Sequence, residues 1–400
     1  MSLEETATKI AERLHGMEYA DVYSHHDADG IAAAAILCIA LNREHIAFRL
    51  RFLPHLSIAD IEHPESSILC DLGASLPDLP DSAIIIDHHV PYAKNAYHIN
   101  PRLEGIDGET ELSAAGCAYL VAVALNRDNR DLASLVMAGI IGDCQNLSGM
   151  NQKIIGDAIG DNLIKPGKGI HLPGRTTKEQ IATATLPYLP GLSGNEAAAE
   201  KIEMMCQSKA SDEAYAGMLI SEIIARSSAS YDALMRIYGN SWELQREAVQ
   251  DAHTLTAILD ACGKSGHADV GFAIASGDRS RLNEAWNTTV AFRKHIVENA
   301  AAAKEVGSHV YEVPDFDAAS DVADLLAVSE QKPVIVIAKA PEFLKVSARA
   351  PQGYDVNFEQ FMKTAAETFG GSGGGHKTRA GGELPCDCYT DFLKTVPEFA

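Results

Sequence analysis

Six side chains in the first 150 residues have the types and order that a metal-assisted hydrolysis needs. His25, Asp27 and Asp29 alternate just ahead of a small-residue helix, within His25-His26-Asp27-Ala28-Asp29-Gly30. In extended backbone, alternate residues share one face. Here they sit at a strand-to-helix turn, where side chains can converge. Asp71, the His88 of Asp87-His88-His89, and Asp143 can join them from neighbouring strand and helix ends. Carboxylates with imidazole and no thiolate favour Mn²⁺ or Mg²⁺ over a structural zinc site. Four Asp and two His exceed what one ion needs and suit two ions about 3.5–4 Å apart, bridged by a carboxylate. Such a pair activates a water and clamps a phosphoryl group. Four clustered carboxylates without cations would repel one another. Taken singly, each motif has a plain reading: a strand-end Asp often caps the next helix, and Asp-His-His can be a chance tripeptide. Their joint occurrence in this order argues against those readings.

A second constellation lies near the C-terminus, at Gly373-Gly374-Gly375-His376 followed by Ala380-Gly381, with Ser347-Ala348-Arg349 upstream. Consecutive glycines let backbone amides approach a phosphate and form an anion-binding nest. His376 and Arg379 would add charge, and Arg349 at a strand end could make a bidentate phosphate contact. The competing reading is a glycine-rich surface turn.

These residues need elements to position them. Short apolar runs at 21–24, 46–53, 67–70 and 83–86 read as strands. The first, third and fourth run into Asp or His. Helices are expected over 31–41, 112–125 and 132–141. Continuous apolar strands separated by helices predict a parallel sheet covered on both faces, and ligands bind beyond the carboxyl ends of its strands. Residues 151–190 read as loop, with Lys165, Lys168, Arg175 and Lys178 in a stretch free of acids. That basic stretch reads equally as substrate contact or solvated surface. Residues 195–262 read as mostly helical. A second alternating region has strands expected at 270–275, 309–313, 334–338 and 344–348, and helices at 282–304, 318–329 and 358–369. The expected organisation is α/β: a parallel-sheet catalytic domain over 1–190, a helical connector over 191–264, and a smaller α/β substrate-binding domain over 265–400, with the site in the cleft between. Trp242, Trp286, His171 and Cys386-x-Cys388 read as packing or surface residues.

The formal charge is −22, from 33 Lys+Arg against 55 Asp+Glu. That excludes a protein that coats nucleic acid or anionic membrane through a broad basic face. It leaves open an anion held by metals or by a small local patch. Nine of the 15 histidines precede residue 100, as an acidic, His-rich metal site requires. The longest apolar run, 31–41, is shorter than the about 20 residues a membrane helix needs. Scattered cysteines and a start without an apolar leader segment point to a reducing cytoplasm.

The motifs together resemble the DHH phosphoesterase superfamily with a C-terminal DHHA1 domain, in particular its RecJ-like group of archaeal type. The resemblance rests on His25–Gly30, Asp71, Asp87-His88-His89, Gly142-Asp143 and Gly373–His376 with Ala380-Gly381. It covers about residues 20–150 and 265–385. It implies that His25, Asp27, Asp29, Asp71, His88 and Asp143 ligate two divalent ions, with Mn²⁺ preferred and Mg²⁺ the alternative, and that Asp71 bridges. Some relatives place the first ligand four residues before the Asp, where this chain has Tyr23; His25 takes that role here. The resemblance also implies that Asp87 orients its neighbours and that His89 contacts the scissile phosphate. Arg349, Gly374, Gly375, His376 and Arg379 would bind substrate, although many relatives have a small residue at the position of Arg379. The expected activity is hydrolysis of single-stranded DNA or RNA by a RecJ-like exonuclease. One alternative is a phosphoesterase for short oligoribonucleotides, cyclic dinucleotides or 3′-phosphoadenosine 5′-phosphate. Another is a Cdc45-like accessory protein beside replication or repair proteins.

Overall fold

The computed structural model describes residues 2–206, 212–351 and 353–397. The chain forms two compact units, residues 1–168 with 240–289 and residues 169–239 with 290–400.

The first unit is built on five parallel strands in the order β2-β1-β3-β4-β5. They are β1 (Tyr19–His25), β2 (Ala47–Leu53), β3 (Ser67–Cys70), β4 (Ile84–Ile86) and β5 (Tyr97–Ile99). β3 and β4 are buried throughout, as their uninterrupted apolar sequences require of a sheet covered on both faces. Helix α1 (Leu3–Leu14) packs on β5 and on α3 (Ala114–Leu125). Helix α2 (Ala28–Arg43) is central, in contact with α3, α4 (Ala133–Gly142), α10 (Ala252–Lys264) and α11 (Ala268–Ala275). Its Ala32–Ala35 run is wholly buried. Small side chains allow helices to approach it from several sides, and a helix apolar all round belongs in a core.

The second unit holds a mixed sheet in the order β12-β13-β11-β10-β9-β8. Its strands are β8 (Lys304–Gly307), β9 (Val310–Val313), β10 (Val334–Lys339), β11 (Phe343–Arg349), β12 (Ser372–Gly375) and β13 (Arg379–Pro385). Only β9 and β10 pair in parallel. Along β10, Ile335 and Ile337 join a core with α14 (Phe358–Phe369) and α15 (Tyr389–Thr395). Val334, Val336 and Ala338 alternate to the other face, against α12 (Leu282–Ala302) and α13 (Ala319–Glu330). Helices α6 (Thr177–Ala182), α7 (Glu196–Cys206), α8 (Asp212–Arg226) and α9 (Tyr231–Met235) surround a separate small core.

Four expectations need correction. The run 270–275 is not a strand but lies in α11. Val270 with Ile274, and Gly271 with Ala275, are buried at helical spacing, and a Cβ at Gly271 would lie 3.2 Å from Ile31 of α2. A six-residue apolar run fits either element, and packing on α2 decides it. The segment 151–190 contains α5 (Gly149–Gly160), strand β6 (Ile164–Ile170) and α6 rather than a bare loop. The helical connector expected over 191–264 is divided. Residues up to 239 pack with the second unit, and those from 240 pack with the first. Strand β7 (Tyr238–Leu244) interrupts it and pairs with β6. Residues 207–211 of that stretch lie outside the described residues. Finally, the glycine-rich turn is itself a strand. β12 pairs with β13 through a hairpin whose tip is Lys377-Thr378, closed by His376 N–H donating to the Arg379 carbonyl at 2.7 Å. Gly373 and Gly374, paired into a strand, do not present the alternating helical and left-handed backbone of the expected nest, while Gly375 keeps a left-handed φ of 132°.

Candidate metal centre

The first unit brings all eight expected N-terminal residues to one end of its sheet. His25 ends β1, and Asp27 and Asp29 open α2. Asp71 follows β3, Asp87-His88-His89 follow β4, and Asp143 caps the C-terminus of α4. The strand ends supply the convergence that parallel-sheet topology predicts.

Asp71 is the hinge of the arrangement. It adopts left-handed backbone (φ 57°), which Asp tolerates better than most residues, and its carboxylate is buried. One oxygen, Oδ2, lies 3.3 Å from His25 Nδ1, which is itself 2.9 Å from Asp27 Oδ2. The other, Oδ1, lies 3.4 Å from His88 Nε2. His88 Nε2 is also 3.2 Å from Asp143 Oδ2 and 3.9 Å from Asp29 Oδ2. Two donor sets result: His25, Asp27 and Asp71; and Asp29, His88 and Asp143. Within each set, one ligand atom per residue lies within 4.8 Å of the others. A third set of the same compactness joins Asp71 and His88 to Asp87 and His89.

The electrostatics describe a site assembled for cations. Burial raises the Asp29 carboxyl well above its ordinary value, and the neighbouring Asp143 and Asp71 raise it further. Its two hydrogen bonds from the Ala114 and Ala115 amides, at 2.7 and 2.9 Å, pull the other way. Burial likewise brings Asp143 up to about 6. Burial lowers His25 and His88, but the facing carboxylates outweigh it and both are raised. His25 Nδ1, Asp71 Oδ1 and Asp143 Oδ2 are buried with no well-aligned hydrogen bond among the described residues, each facing ion-pair partners of which the nearest is 2.9–3.4 Å away. Buried orphan donors and acceptors carry a desolvation penalty of about 1–3 kcal/mol each, which a divalent ion would remove. The residues present therefore fit a resident metal centre.

The neighbours hold the ligands in place. Asp87 is buried; its Oδ2 accepts from Ala74 N–H at 2.9 Å, and its Oδ1 accepts from His88 and His89 N–H. That oxygen also lies 2.8 Å from His89 Nδ1. His89 is brought to about 9: burial lowers it, and Asp87 more than compensates. The Gly108 carbonyl lies 2.6 Å from His88 Nδ1. A carbonyl only accepts, so Nδ1 carries a proton, and with a metal bound Nε2 would be the nitrogen left to offer its lone pair. Arg102 Nε donates to the His88 carbonyl at 2.9 Å. Neither Gly108 nor Arg102 carries a signal in the sequence, because each acts through a loop contact. Tyr23 is buried beneath the sheet, with its hydroxyl accepting from Arg51 at 3.2 Å, and takes no part in the donor sets.

The C-terminal residues are gathered in the second unit. Arg349 pairs across the sheet with Arg379, and Gly374 and Gly375 pair with Gly381 and Ala380. Arg349 is not available for the expected bidentate contact. Its Nε donates to Asp324 at 2.8 Å, Nη2 to Ser320 at 2.6 Å, and Nη1 to the carbonyls of Ala348 and Ala380. Four of its five N–H groups are thereby used. Asp324 also accepts from Arg379 at 3.0 Å. Ser320 and Asp324 lie on α13, and nothing in their local sequence marks them as partners of strand residues. A Cβ at Gly374 would meet nothing within 4 Å, whereas one at Gly373 would lie 2.5 Å from the Met362 carbonyl.

Comparison with known proteins bears on this geometry. The model for the DHH family N-terminal domain matches residues 21–140, and that for the DHHA1 domain matches residues 305–400. An uncharacterized protein of Methanocaldococcus jannaschii is 28% identical over 428 residues, spanning 99% of this chain and 96% of that protein. Among solved structures, exonuclease RecJ bound to manganese superposes with a TM-score of 0.60 at 16% identity, over 99% of this chain and 93% of that one. CDC45 from Entamoeba histolytica superposes with a TM-score of 0.63 at 12% identity, over 98% and 97%. At these identities the structural likeness is one of fold. Among the described residues, no helix is long and apolar enough to cross a membrane.

Proposed function

The chain belongs to the DHH family and carries a C-terminal DHHA1 domain, and on that premise we propose that it is a metal-dependent phosphodiesterase degrading single-stranded nucleic acid from an end. The observation that carries the reading is the Asp71 carboxylate, with one oxygen turned to His25 and Asp27 and the other to His88. His25, Asp27 and Asp71 would hold one ion; Asp29, Asp71, His88 and Asp143 would hold a second. Bound there, two divalent cations (Mn²⁺ preferred, Mg²⁺ the alternative) supply an activated water and charge neutralisation at a phosphoryl group.

The chain's own residues do the rest. Asp87 fixes the His88-His89 backbone and holds a proton on His89 Nδ1, leaving an imidazolium whose Nε2–H can donate to a phosphate oxygen. That charge favours the anionic, five-coordinate phosphorus of an in-line displacement over the ground state. In the second unit, Gly374 leaves open backbone for a phosphate, and His376 and Arg379 flank it. Arg349 is assigned to holding the β11–β13 edge through Asp324 rather than to direct contact. CDC45 shares the fold, but an accessory scaffold has no need of an intact donor set that is costly without cations.

The deciding experiment follows end-labelled single-stranded DNA and RNA with Mn²⁺ and with Mg²⁺, using wild type, Asp71→Asn and His376→Ala. A ladder shrinking from one end in wild type, lost in the first variant and weakened in the second, is expected. Full activity in Asp71→Asn would overturn the assignment. Faster cleavage of a dinucleotide than of a long strand would move the substrate to the short oligonucleotides.

A further inference from the structure

Behind His88 runs a buried relay that the site as described does not use. Gln145 follows the ligand Asp143 by two residues. Between them Cys144 takes left-handed backbone (φ 54°), and Gln145 N–H donates to the Ile140 carbonyl at 2.9 Å, folding the side chain back under the site. Its Nε2 donates to the Gly108 carbonyl at 2.9 Å, the same oxygen that accepts from His88 Nδ1, and lies 3.4 Å from that ring nitrogen. Its Oε1 accepts from Asn151 Nδ2 at 2.8 Å. Asn151 is fully buried on α5 and anchored by its own N–H to the Glu111 carbonyl at 3.0 Å.

Each hydrogen bond of this relay has one consistent direction, with Asn151 Nδ2 also donating to the Asn146 carbonyl at 3.3 Å and Asn151 Oδ1 left without a partner among the described residues. Gly108 offers only an acceptor, so the Gln145 amide must turn its NH₂ towards it, and Asn151 enforces that orientation by donating to the far oxygen. The Gly108 oxygen is held between two donors, and its direction sets which His88 nitrogen carries the proton. The relay also ties two ligands of one donor set together. Gln145 shares a turn with Asp143 and shares a carbonyl with His88.

We propose that Gln145, locked by Asn151, is a positioning residue for the Asp29–His88–Asp143 metal position, setting its affinity without touching metal or substrate. This rests on the metal reading above. Outer partners of metal-binding histidines are worth about 10–100-fold in affinity. Gln145→Met keeps the length of the side chain and removes both hydrogen bonds.

The test is Mn²⁺ titration by calorimetry on the whole chain. Wild type is expected to show two binding steps. Gln145→Met should weaken one by about 10-fold and leave the other unchanged, while the metal-free protein still melts cooperatively. Its cleavage rate should recover when Mn²⁺ is in excess, which a general loss of structure would not permit. Equal binding of both ions by variant and wild type overturns this proposal alone. A wild type that takes up no divalent ion overturns the metal reading with it. Should that variant not fold, Asn151→Ser, which frees the Gln145 amide from its lock, takes its place in the same titration: weakening of one step is expected, and unchanged binding of both ions overturns the proposal.

Discussion

At the scale of single residues, Asp71 makes the sharpest prediction. Its left-handed backbone is one that Asn also tolerates, so Asp71→Asn changes charge with little strain. The substitution should lower cleavage by more than about 100-fold while leaving the metal-free protein as stable as wild type or more so, since one of several facing carboxylates is gone. Thermal melts with chelator, beside the cleavage assay, check both halves; a large drop in melting temperature would show that Asp71 serves the fold instead. A second residue reports through pH. Glu247 is buried and accepts a hydrogen bond from Ser134, and burial raises its carboxyl above the ordinary 4.5. A carboxyl raised in the folded state contributes stability that is complete below its unfolded value and is lost as pH climbs through the folded value. Glu247→Gln removes that loss, so the variant should melt with wild type near about pH 4 and above it near about pH 8. Parallel melting curves across that range would contradict the assignment. The convergence of the donor sets was legible because type and order alone pick out their residues: alternating acids at a helix start, and acids or imidazoles at strand ends. The committed state of Arg349 was not, because its partners Asp324 and Ser320 arrive from a helix with no local marker.

At the scale of elements, the glycine hairpin separates packing from function. α14 lies against β12 so closely that a Cβ at Gly373 would press on the Met362 carbonyl at 2.5 Å, while a Cβ at Gly374 would meet nothing within 4 Å. Gly373→Ala should therefore destabilise the protein by about 1–3 kcal/mol, as overpacking does. Gly374→Ala should leave the melting curve nearly in place and raise KM, if backbone there approaches a phosphate. Equal destabilisation by both would remove the functional distinction between them. Strands β3 and β10 and helix α2 were readable as unbroken apolar runs of strand and helix length, and β11 and α14 by the alternation and helical spacing of their apolar residues. The run at 270–275 misled because six apolar residues satisfy both periods, and only contact with α2 makes it helical. β12 was hidden for the opposite reason: glycines have no side chains to alternate, so their pairing with β13 leaves no pattern.

At the scale of the whole molecule, the charge of −22 and the two compact units make one linked prediction about metal. The acids and histidines of the donor sets lie in the first unit, drawn from β1, α2, the ends of β3 and β4, and α4. Ions that bind the folded state stabilise it by mass action, about 2.7 kcal/mol for one site at a hundredfold excess over Kd. For a unit of this size that is about 5–10 °C in melting temperature. Because the ligands come from five separate elements, the stabilisation should spread through the first unit's core rather than stay at the loops. Hydrogen-exchange mass spectrometry with Mn²⁺ and with chelator reads this directly. Metal should slow exchange along 22–41, 67–74, 84–89 and 133–146, and leave 334–349 and 372–385 unchanged. Protection that rises equally in the second unit's sheet would mean that the two units open as one. Protection limited to the ligand residues would mean that the donor sets are an exposed acidic surface and not a preformed centre.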